Sequence, residues 1–272
     1  MSNNLLTGKR GIITGALDEN SIAWQTALKA KEEGAKFVLT NAPIAMRMGA
    51  IQDLAKECET IVIPADATSL EDIEKLYDEA KEFLGGNFDF ILHSIGMSPN
   101  VRKGRPYGDL NYEWVQKTYD VSATSFHKMM QVAEKKDVIN EWGSVVGLSY
   151  IASQRVFPFY NDMGEAKALL ESIARSYGYR YGKHKKVRVN TISQSPTKTT
   201  AGTGIDGFNA FYNFSDSMSP LGNASAESCA NFIVSLFSDY TRMVTMQNLF
   251  HDGGYSFTGI SEEIIERYSD KK

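Results

Sequence analysis

The amino-acid sequence predicts an α/β fold in which a doubly wound parallel sheet of about seven strands carries helices on both faces. Short apolar runs rich in Val, Ile, Leu and Phe recur along the 272 residues, as expected for strands buried on both faces. Amphipathic segments separate the runs, and this alternation is typical of parallel strands with right-handed crossovers. We expect strands at residues 11–14, 36–40, 60–65, 88–93, 144–148, 187–192 and 245–250.

Two of the separating segments carry specific helix signals. Ser69 and Asp72 form a Ser-x-x-Asp capping pattern, and apolar residues follow at helical spacing. Residues 112–135 place apolar side chains at roughly helical intervals, which predicts one long helix. Because no linker, low-complexity tract or repeat divides the chain, we expect residues 1–272 to form a single domain.

Composition excludes several classes of protein. The formal net charge is −4, whereas a nucleic-acid-binding protein would need a clustered basic face. Two cysteines and four scattered histidines give neither a disulfide framework nor a metal-ligand spacing. No apolar run reaches the length of a membrane span, and the first residues lack the apolar core of a secretory signal. We therefore expect a cytoplasmic protein without a metal, a membrane segment or a nucleic-acid partner.

The turn after the first predicted strand is the expected nucleotide site, because ligands of such sheets bind beyond the carboxyl ends of the strands. Gly15 permits a tight turn and close approach of backbone. Ser21 and the backbone N–H groups that begin the next helix can receive a pyrophosphate, helped by the helix dipole. The usual G-x-G-x-x-G pattern is absent, however, and an ordinary turn with a serine cap explains these residues equally well.

The ends of the next strands bear on the choice of nucleotide. Residues 40–43 lack both the carboxylate that usually holds an NAD ribose and a basic residue for a 2′-phosphate; the nearest is Arg47. This pattern favours NADH over NADPH. Asp66 can accept from an adenine amino group or cap the turn before Ser69, and Gly96 in Ser94-Ile95-Gly96 allows backbone to approach a ribose or nicotinamide.

Tyr160 and Lys167 are the candidate reactive pair. Residues seven apart on a helix differ in direction by roughly 20°, so both side chains lie on one face. A lysine charge is expected to lower the pKa of a neighbouring phenol and favour proton donation. Such a pair is common by chance, but the preceding strand delivers Tyr150 to the same cleft.

Residues 197–217 fit neither a strand nor a regular helix. The segment begins with small polar residues and ends with aromatic ones. This combination suits a mobile substrate-binding segment that is ordered by cofactor and acyl chain. A helix packed permanently over the cleft is the alternative.

Together these motifs resemble the NADH-type enoyl-acyl-carrier-protein reductases of bacteria and plastids, a branch of the short-chain dehydrogenase/reductase superfamily. Ordinary members of the superfamily carry Tyr-x3-Lys, whereas this chain has Gly164 at that lysine position and Lys167 three residues later. The resemblance runs from about residue 6 to residue 257. The motifs that carry it are Tyr160-x6-Lys167, Gly15-x5-Ser21-Ile22-Ala23, Ser94-Ile95-Gly96 and Asp252-Gly253-Gly254.

The resemblance implies a Rossmann-type homotetramer that uses NADH to reduce the double bond of an enoyl thioester carried by acyl carrier protein. The catalytic residues would be Tyr150, Tyr160 and Lys167, with Tyr160 on the thioester carbonyl and Lys167 on the nicotinamide ribose. The cofactor site would comprise Gly15, Ser21, Ile22, Asp66, Ala67, Ser94, Ile95, Gly96, Lys167, Pro196, Thr197, Lys198, Thr199, Thr200 and Ala201. The acyl pocket would comprise Met97, Ser98, Tyr150, Tyr160, Met163, Ile205 and Phe208.

Departures and alternatives remain. The family commonly shows Ala-Gly before Pro196, whereas this chain has Gln194-Ser195, so the bend beside the nicotinamide is in question. Position 42 is Ala, which offers no side-chain contact to adenine. Plain core packing also explains Met163 and Phe208. A 3-oxoacyl thioester ketoreductase and a non-catalytic NAD(H)-binding sensor are the alternative functions.

Overall fold

The computed structural model describes residues 2–48, 50–203 and 207–269, and its centre is a six-stranded parallel sheet with the order β2-β1-β3-β4-β5-β6. The strands are β1 (Arg10–Thr14), β2 (Lys36–Thr40), β3 (Phe88–His93), β4 (Ile139–Ser149), β5 (Arg188–Gln194) and β6 (Asn248–His251). The helices are α1 (Ile22–Glu32), α2 (Ala50–Glu57), α3 (Leu70–Leu84), α4 (Pro99–Arg102), α5 (Tyr112–Tyr119), α6 (Ser125–Lys135), α7 (Asn161–Lys185), α8 (Thr200–Thr203), α9 (Phe208–Met218), α10 (Ala226–Phe237) and α11 (Glu262–Tyr268).

Helices cover both faces of the sheet, which confirms the predicted doubly wound architecture. Alternate strand residues point to opposite faces, so Ile12 packs in one apolar core and Ile13 in the other. Helices α3, α6 and α7 close the first core, and helices α1, α2 and α10 close the second. Among the described residues, no helix combines the length and apolarity needed to cross a membrane.

The strand predicted at residues 60–65 is wrong, and the sheet has six strands rather than about seven. This segment makes a single bridge, between Val62 and Leu39 of β2, at the outer edge of the sheet. Ile63 and Ala65 are buried while Pro64 between them is exposed, so the segment is not covered on both faces. The backbone N–H groups of Ile63 and Ala65 donate to the carbonyls of Leu39 (2.9 Å) and Asn41 (3.1 Å), and Pro64 has no N–H to donate to a further strand on the outer side.

The single helix predicted over residues 112–135 is also interrupted. Helix α5 passes through a π-helical turn, Asp120–Thr124, before α6 begins. Within that turn, the Ser122 hydroxyl accepts from the Met97 backbone N–H (3.0 Å) and donates to its carbonyl (3.2 Å). The wider turn therefore holds the chain that follows β3 in place, as π-turns at functional sites often do.

The predicted cap of α3 is confirmed in part. The Ser69 hydroxyl accepts from the Asp72 backbone N–H at 3.2 Å, as the capping pattern requires. The Asp72 carboxylate, however, accepts from the backbone N–H of Asp66 at 2.8 Å. The cap thus also fixes the loop that follows residues 60–65.

Candidate active site

The carboxyl ends of the strands surround one large cleft of about 1280 Å³. It lies where ligands of doubly wound sheets bind. Most of the predicted site residues meet on its wall, namely Gly15, Ser21, Ile22, Asp66, Ala67, Ser94, Ile95, Gly96, Met97, Ser98, Tyr150, Tyr160, Met163, Lys167, Pro196, Thr197, Thr199, Thr200 and Phe208.

One predicted residue lies off the cleft wall, and two others fall wholly or partly outside the described part of the chain. The ammonium of Lys198 lies over the ring of Tyr212, 4.3 Å from its centroid, and the side chain is not part of the cleft wall. Ala201 contributes backbone to α8, but its side chain lies outside the described part of the chain. Ile205 also lies outside the described residues.

Gly15 is required by a close approach of two loops. Its φ is +85°, and a Cβ built there would lie 1.9 Å from the carbonyl oxygen of Ser94. Any other residue would push apart the loops that follow β1 and β3. The cleft beside this contact is the expected position of a dinucleotide.

Ser21 caps α1, so its hydroxyl is already engaged. It donates to the Asp18 carbonyl (2.8 Å) and accepts from the Trp24 backbone N–H (3.4 Å). The first turn of α1 holds no acidic residue that would repel an anion. The remaining backbone N–H groups and the helix dipole are therefore the part of this turn that suits a pyrophosphate.

Asp66 has the predicted role in the turn, and its role toward adenine stays a prediction. Its Oδ1 accepts from the backbone N–H of Thr68 (2.8 Å) and from the Thr68 hydroxyl (2.7 Å), which fixes the turn before Ser69. A carboxylate retains further lone pairs, and this one lies on the cleft wall, where an adenine amino group can donate to it.

Lys167 is a buried cation at the centre of the cleft. Its side chain comes from α7, and Nζ donates to the carbonyl of Leu148 at 2.7 Å. Burial lowers the pKa of the ammonium to about 8, while the charge of Glu171 acts in the opposite direction. A Cβ at Gly96 would lie 3.5 Å from Nζ, so this glycine, in the loop that follows β3, leaves space beside the ammonium.

Tyr150 and Tyr160 stand side by side, with ring centroids 5.3 Å apart in an edge-to-face arrangement. Burial raises the pKa of both phenols above the ordinary value for tyrosine. The expectation that Lys167 lowers the pKa of Tyr160 is wrong, because burial of the phenol penalises the phenolate and raises the pKa. Both phenols are therefore protonated hydrogen-bond donors at neutral pH.

Close packing of α7 explains the unusual tyrosine–lysine spacing. A Cβ at Gly164 would lie 2.9 Å from the carbonyl oxygen of Ala152, in the turn Ile151–Ser153. A lysine at position 164, as in Tyr-x3-Lys, would meet that carbonyl at once. Position 167 is one turn further along, where Lys167 reaches Leu148.

Sequence reasoning missed Glu171, whose carboxylate is buried in the same region. Its Oε1 accepts from the hydroxyls of Ser149 and Ser153, both at 2.6 Å. The available signal was its position four residues after Lys167, on the same helical face. The serines themselves showed no pattern.

The acyl end of the cleft combines predicted and unpredicted apolar residues. Met163 and Phe208 are largely buried and also line the cleft, so core packing is confirmed for both and their contact with an acyl chain stays a prediction. Val101, Phe157 and Phe211 line the cleft as well and were not predicted. The Phe157 and Phe211 rings lie 6.2 Å apart, and together they form an aromatic wall.

Ser98 has a structural task beside its place on the cleft wall. Its hydroxyl donates to the Asp162 carboxylate (2.7 Å) and accepts from the backbone N–H of Val101 (3.0 Å). Asn100 donates to the same carboxylate at 3.0 Å. Asp162, which is fully buried and was also missed, thereby joins α4 to the first turn of α7.

The Gln194-Ser195 departure forms a hydrogen-bonded bend. The Gln194 side-chain oxygen lies 2.8 Å from His251 Nδ1, and its amide nitrogen donates to the Ala224 carbonyl at 3.4 Å. The Ser195 hydroxyl accepts from the Ala224 N–H (3.0 Å), and Thr197 donates its hydroxyl to the Ser195 carbonyl (3.0 Å). Side-chain hydrogen bonds thus hold the bend before Pro196.

The segment at 197–217 is more regular than predicted. Helix α8 follows Thr199, whose hydroxyl accepts from the Gly202 N–H at 3.0 Å. Helix α9 then places Phe208 and Phe211 on the cleft wall. Residues 204–206, between the helices, lie outside the described part of the chain. Ordering of this segment by ligands stays a prediction.

Comparison with known proteins agrees with this geometry. A family model described as Enoyl-(Acyl carrier protein) reductase matches residues 15–256. The NADH enoyl-acyl-carrier-protein reductase FabI of Rickettsia bellii is 36% identical over 268 residues, which cover 97% of this chain and 100% of the relative.

Two solved structures extend the comparison. The crystal structure of a FabI–NADH complex from Alistipes finegoldii is 61% identical with a TM-score of 0.96, and the match covers 99% of this chain and 95% of that one. The Bacillus cereus enoyl-acyl carrier protein reductase with NADP+ and indole naphthyridinone is 30% identical with a TM-score of 0.88, covering 96% and 100%. The chain therefore belongs to the enoyl-(acyl carrier protein) reductase family.

Proposed function

We propose that this protein uses NADH to reduce the trans-2 double bond of enoyl thioesters carried by acyl carrier protein. The observation that carries the proposal is the meeting of Tyr150, Tyr160 and Lys167 in one cleft at the carboxyl ends of the strands. Two protonated phenols and a buried ammonium are suited to stabilise negative charge on a substrate oxygen.

The residues present fit a dinucleotide. The turn at Gly15 and the start of α1 would hold the pyrophosphate. Asp66 and Ala67 would contact the adenine, and Lys167 would bind the hydroxyls of the nicotinamide ribose. Residues Pro196 and Thr197–Ala201 would follow the nicotinamide side of the cleft. Because Asn41 and Ala42 follow β2 without a basic side chain, NADH is proposed rather than NADPH.

NADH held by these residues would supply the hydride that adds to C3 of the enoyl thioester. As charge develops on the thioester oxygen, the Tyr160 hydroxyl donates a hydrogen bond to it, a contribution of roughly 3 kcal/mol by analogy with other oxyanion donors. Tyr150 flanks the same oxygen and excludes water from it. Met97, Met163 and Phe208 enclose the acyl chain. Protonation at C2 completes the reduction.

The homotetramer and the cytoplasmic location are part of the proposal. Large apolar side chains stay exposed on one chain, among them Tyr179 on α7 and Phe257 and Tyr268 near the C-terminal end. Surfaces of this kind are often covered by further copies of a chain. Association of four copies would bury them.

A thioester assay tests the activity directly. We expect crotonyl thioester to drive oxidation of NADH, with weaker or no oxidation of NADPH, monitored at the nicotinamide absorbance. A 3-oxoacyl thioester is the matched control, because Gly164 leaves no Tyr-x3-Lys pair for ketone reduction. Preference for the 3-oxoacyl substrate would show a ketoreductase, and NADH binding without either turnover would show a sensor.

Replacement of Tyr160 by Phe removes the hydroxyl and keeps the ring, so its packing against Tyr150 is retained. We expect kcat with the enoyl thioester to fall by about 10-fold or more, through loss of a hydrogen bond made in the transition state, while NADH affinity is retained. Steady-state kinetics and fluorescence titration measure the two quantities. Unchanged turnover would assign the oxygen-binding role to Tyr150 instead.

Replacement of Lys167 by Ala should weaken NADH binding as well as turnover, because one ammonium serves the ribose and the neighbourhood of Tyr160. Since burial lowers the lysine pKa to about 8, the protein should bind NADH well below that pH and lose affinity as the pH rises through it. Fluorescence titration across this range measures the effect. Normal NADH affinity in Lys167→Ala would show that the ribose assignment is wrong.

Hydrogen exchange tests the segment at 197–217. We expect its amides to exchange faster than those of neighbouring α10 without ligand, and to be protected by NADH together with an acyl-pocket ligand. The amides of β4 are the internal control, since they lie at the centre of the sheet. Strong and equal protection with and without ligand would instead show a permanently packed wall.

A further inference from the structure

Glu171 is a buried carboxylate for which the mechanism above gives no role. Only 5% of its surface is exposed, and it lies one helical turn after Lys167 on α7. Its Oε1 accepts from two serine hydroxyls at 2.6 Å each, from Ser149 and Ser153. Burying a carboxylate is costly, so bonds this short and charge-assisted indicate a specific task.

The two serines flank Tyr150. Ser149 is the last residue of β4 and precedes the tyrosine, and Ser153 ends the turn that follows it. The neighbouring carbonyl of Leu148 accepts from Lys167 Nζ at 2.7 Å. Three hydrogen bonds from α7 therefore hold residues 148–153, and with them the backbone that aims the Tyr150 ring at the cleft.

The carboxylate also acts on the lysine. Positions four apart on a helix are neighbours, and the negative charge of Glu171 opposes the effect of burial on the Lys167 pKa. Among the described residues, His93, at the end of β3, also interacts with the charge of the ammonium, and Tyr160 lines the same cleft. Burial lowers the pKa of His93 to about 3 and raises that of Tyr160, so neither carries charge at neutral pH.

We propose that Glu171 is a positioning residue for the reduction, which fixes the Tyr150 segment against α7 and keeps the Lys167 side chain in its ammonium form. The proposal rests on the proposed function for the role of Tyr150. It assigns no contact between Glu171 and substrate or cofactor.

Two substitutions separate the two parts of this role. Glu171→Gln keeps a carbonyl oxygen for both serines but removes the charge. We expect the pH at which NADH affinity falls to move down by about one unit, with kcat within about 2-fold of wild type at pH values where Lys167 is charged. Glu171→Ala removes the acceptor as well, and kcat at saturating NADH should fall by about 10-fold or more, because Tyr150 is misplaced.

Glu165→Gln is the matched control. Glu165 also lies on α7 and also accepts from two hydroxyls, those of Tyr107 (2.6 Å) and Tyr119, but its partners do not flank Tyr150. The NADH affinity of Glu165→Gln should therefore depend on pH as that of wild type does. If Glu171→Ala does not fold, Ser153→Ala takes its place: it removes one donor and keeps the charge, so kcat should fall several-fold without a shift of the profile.

The two parts of the proposal fail on different results. If NADH affinity depends on pH in Glu171→Gln as it does in wild type, Glu171 does not control the charge of Lys167. If kcat is unchanged in Glu171→Ala or Ser153→Ala, Glu171 does not position Tyr150. If wild-type protein binds NADH but does not reduce crotonyl thioester, the proposed function fails, while the NADH titrations still decide whether Glu171 controls the charge of Lys167.

Discussion

The contact between helix α7 and the segment that leaves β4 determines where the reactive side chains lie. Gly164 brings the helix so close to the Ala152 carbonyl that a Cβ would stand 2.9 Å from it. At that separation the lysine fits one turn further on, where its ammonium binds the Leu148 carbonyl at 2.7 Å. The Tyr-x6-Lys spacing is therefore a consequence of packing, and it places the Lys167 ammonium in the same cleft as the phenols of Tyr150 and Tyr160.

A second set of close approaches forms the nucleotide side of the cleft. The absence of a side chain at Gly15 lets the loop after β1 touch Ser94, and Gly96 leaves room for Lys167 and for the end of Met163. These contacts join the loops that follow β1 and β3, and they bring the second loop against two side chains of α7. Because a Cβ at any of these glycines would meet neighbouring atoms, the backbone itself defines the shape of the site.

The sequence predicted the fold and the meeting of Tyr160 and Lys167 in one cleft, because both depend on local periodicity. The bounds of β2 and β3 coincide with the predicted runs at 36–40 and 88–93, whereas the run at 60–65 failed because it lies at the edge of the sheet and makes a single bridge there. Spacing also placed Tyr160 and Lys167 together. Spacing gives no measure of burial, however, and burial sets the direction of the Tyr160 pKa.

The hydrogen bonds that sequence reasoning missed join buried polar groups to partners that are distant in sequence. Glu171 binds Ser149, Asp162 binds Ser98, and Gln194 contacts His251, and none of these pairs lies within one element. Each bond satisfies a group that would be costly to bury alone, and each joins a loop of the cleft to a helix or strand. Burial discourages charge on His93 and on both phenols, so the part of the cleft formed by Tyr150, Tyr160 and Lys167 offers two neutral hydroxyl donors and an ammonium whose charge Glu171 supports. Such an arrangement stabilises negative charge that appears on a substrate only during reaction, since donors already fixed in place need no reorganisation when it forms.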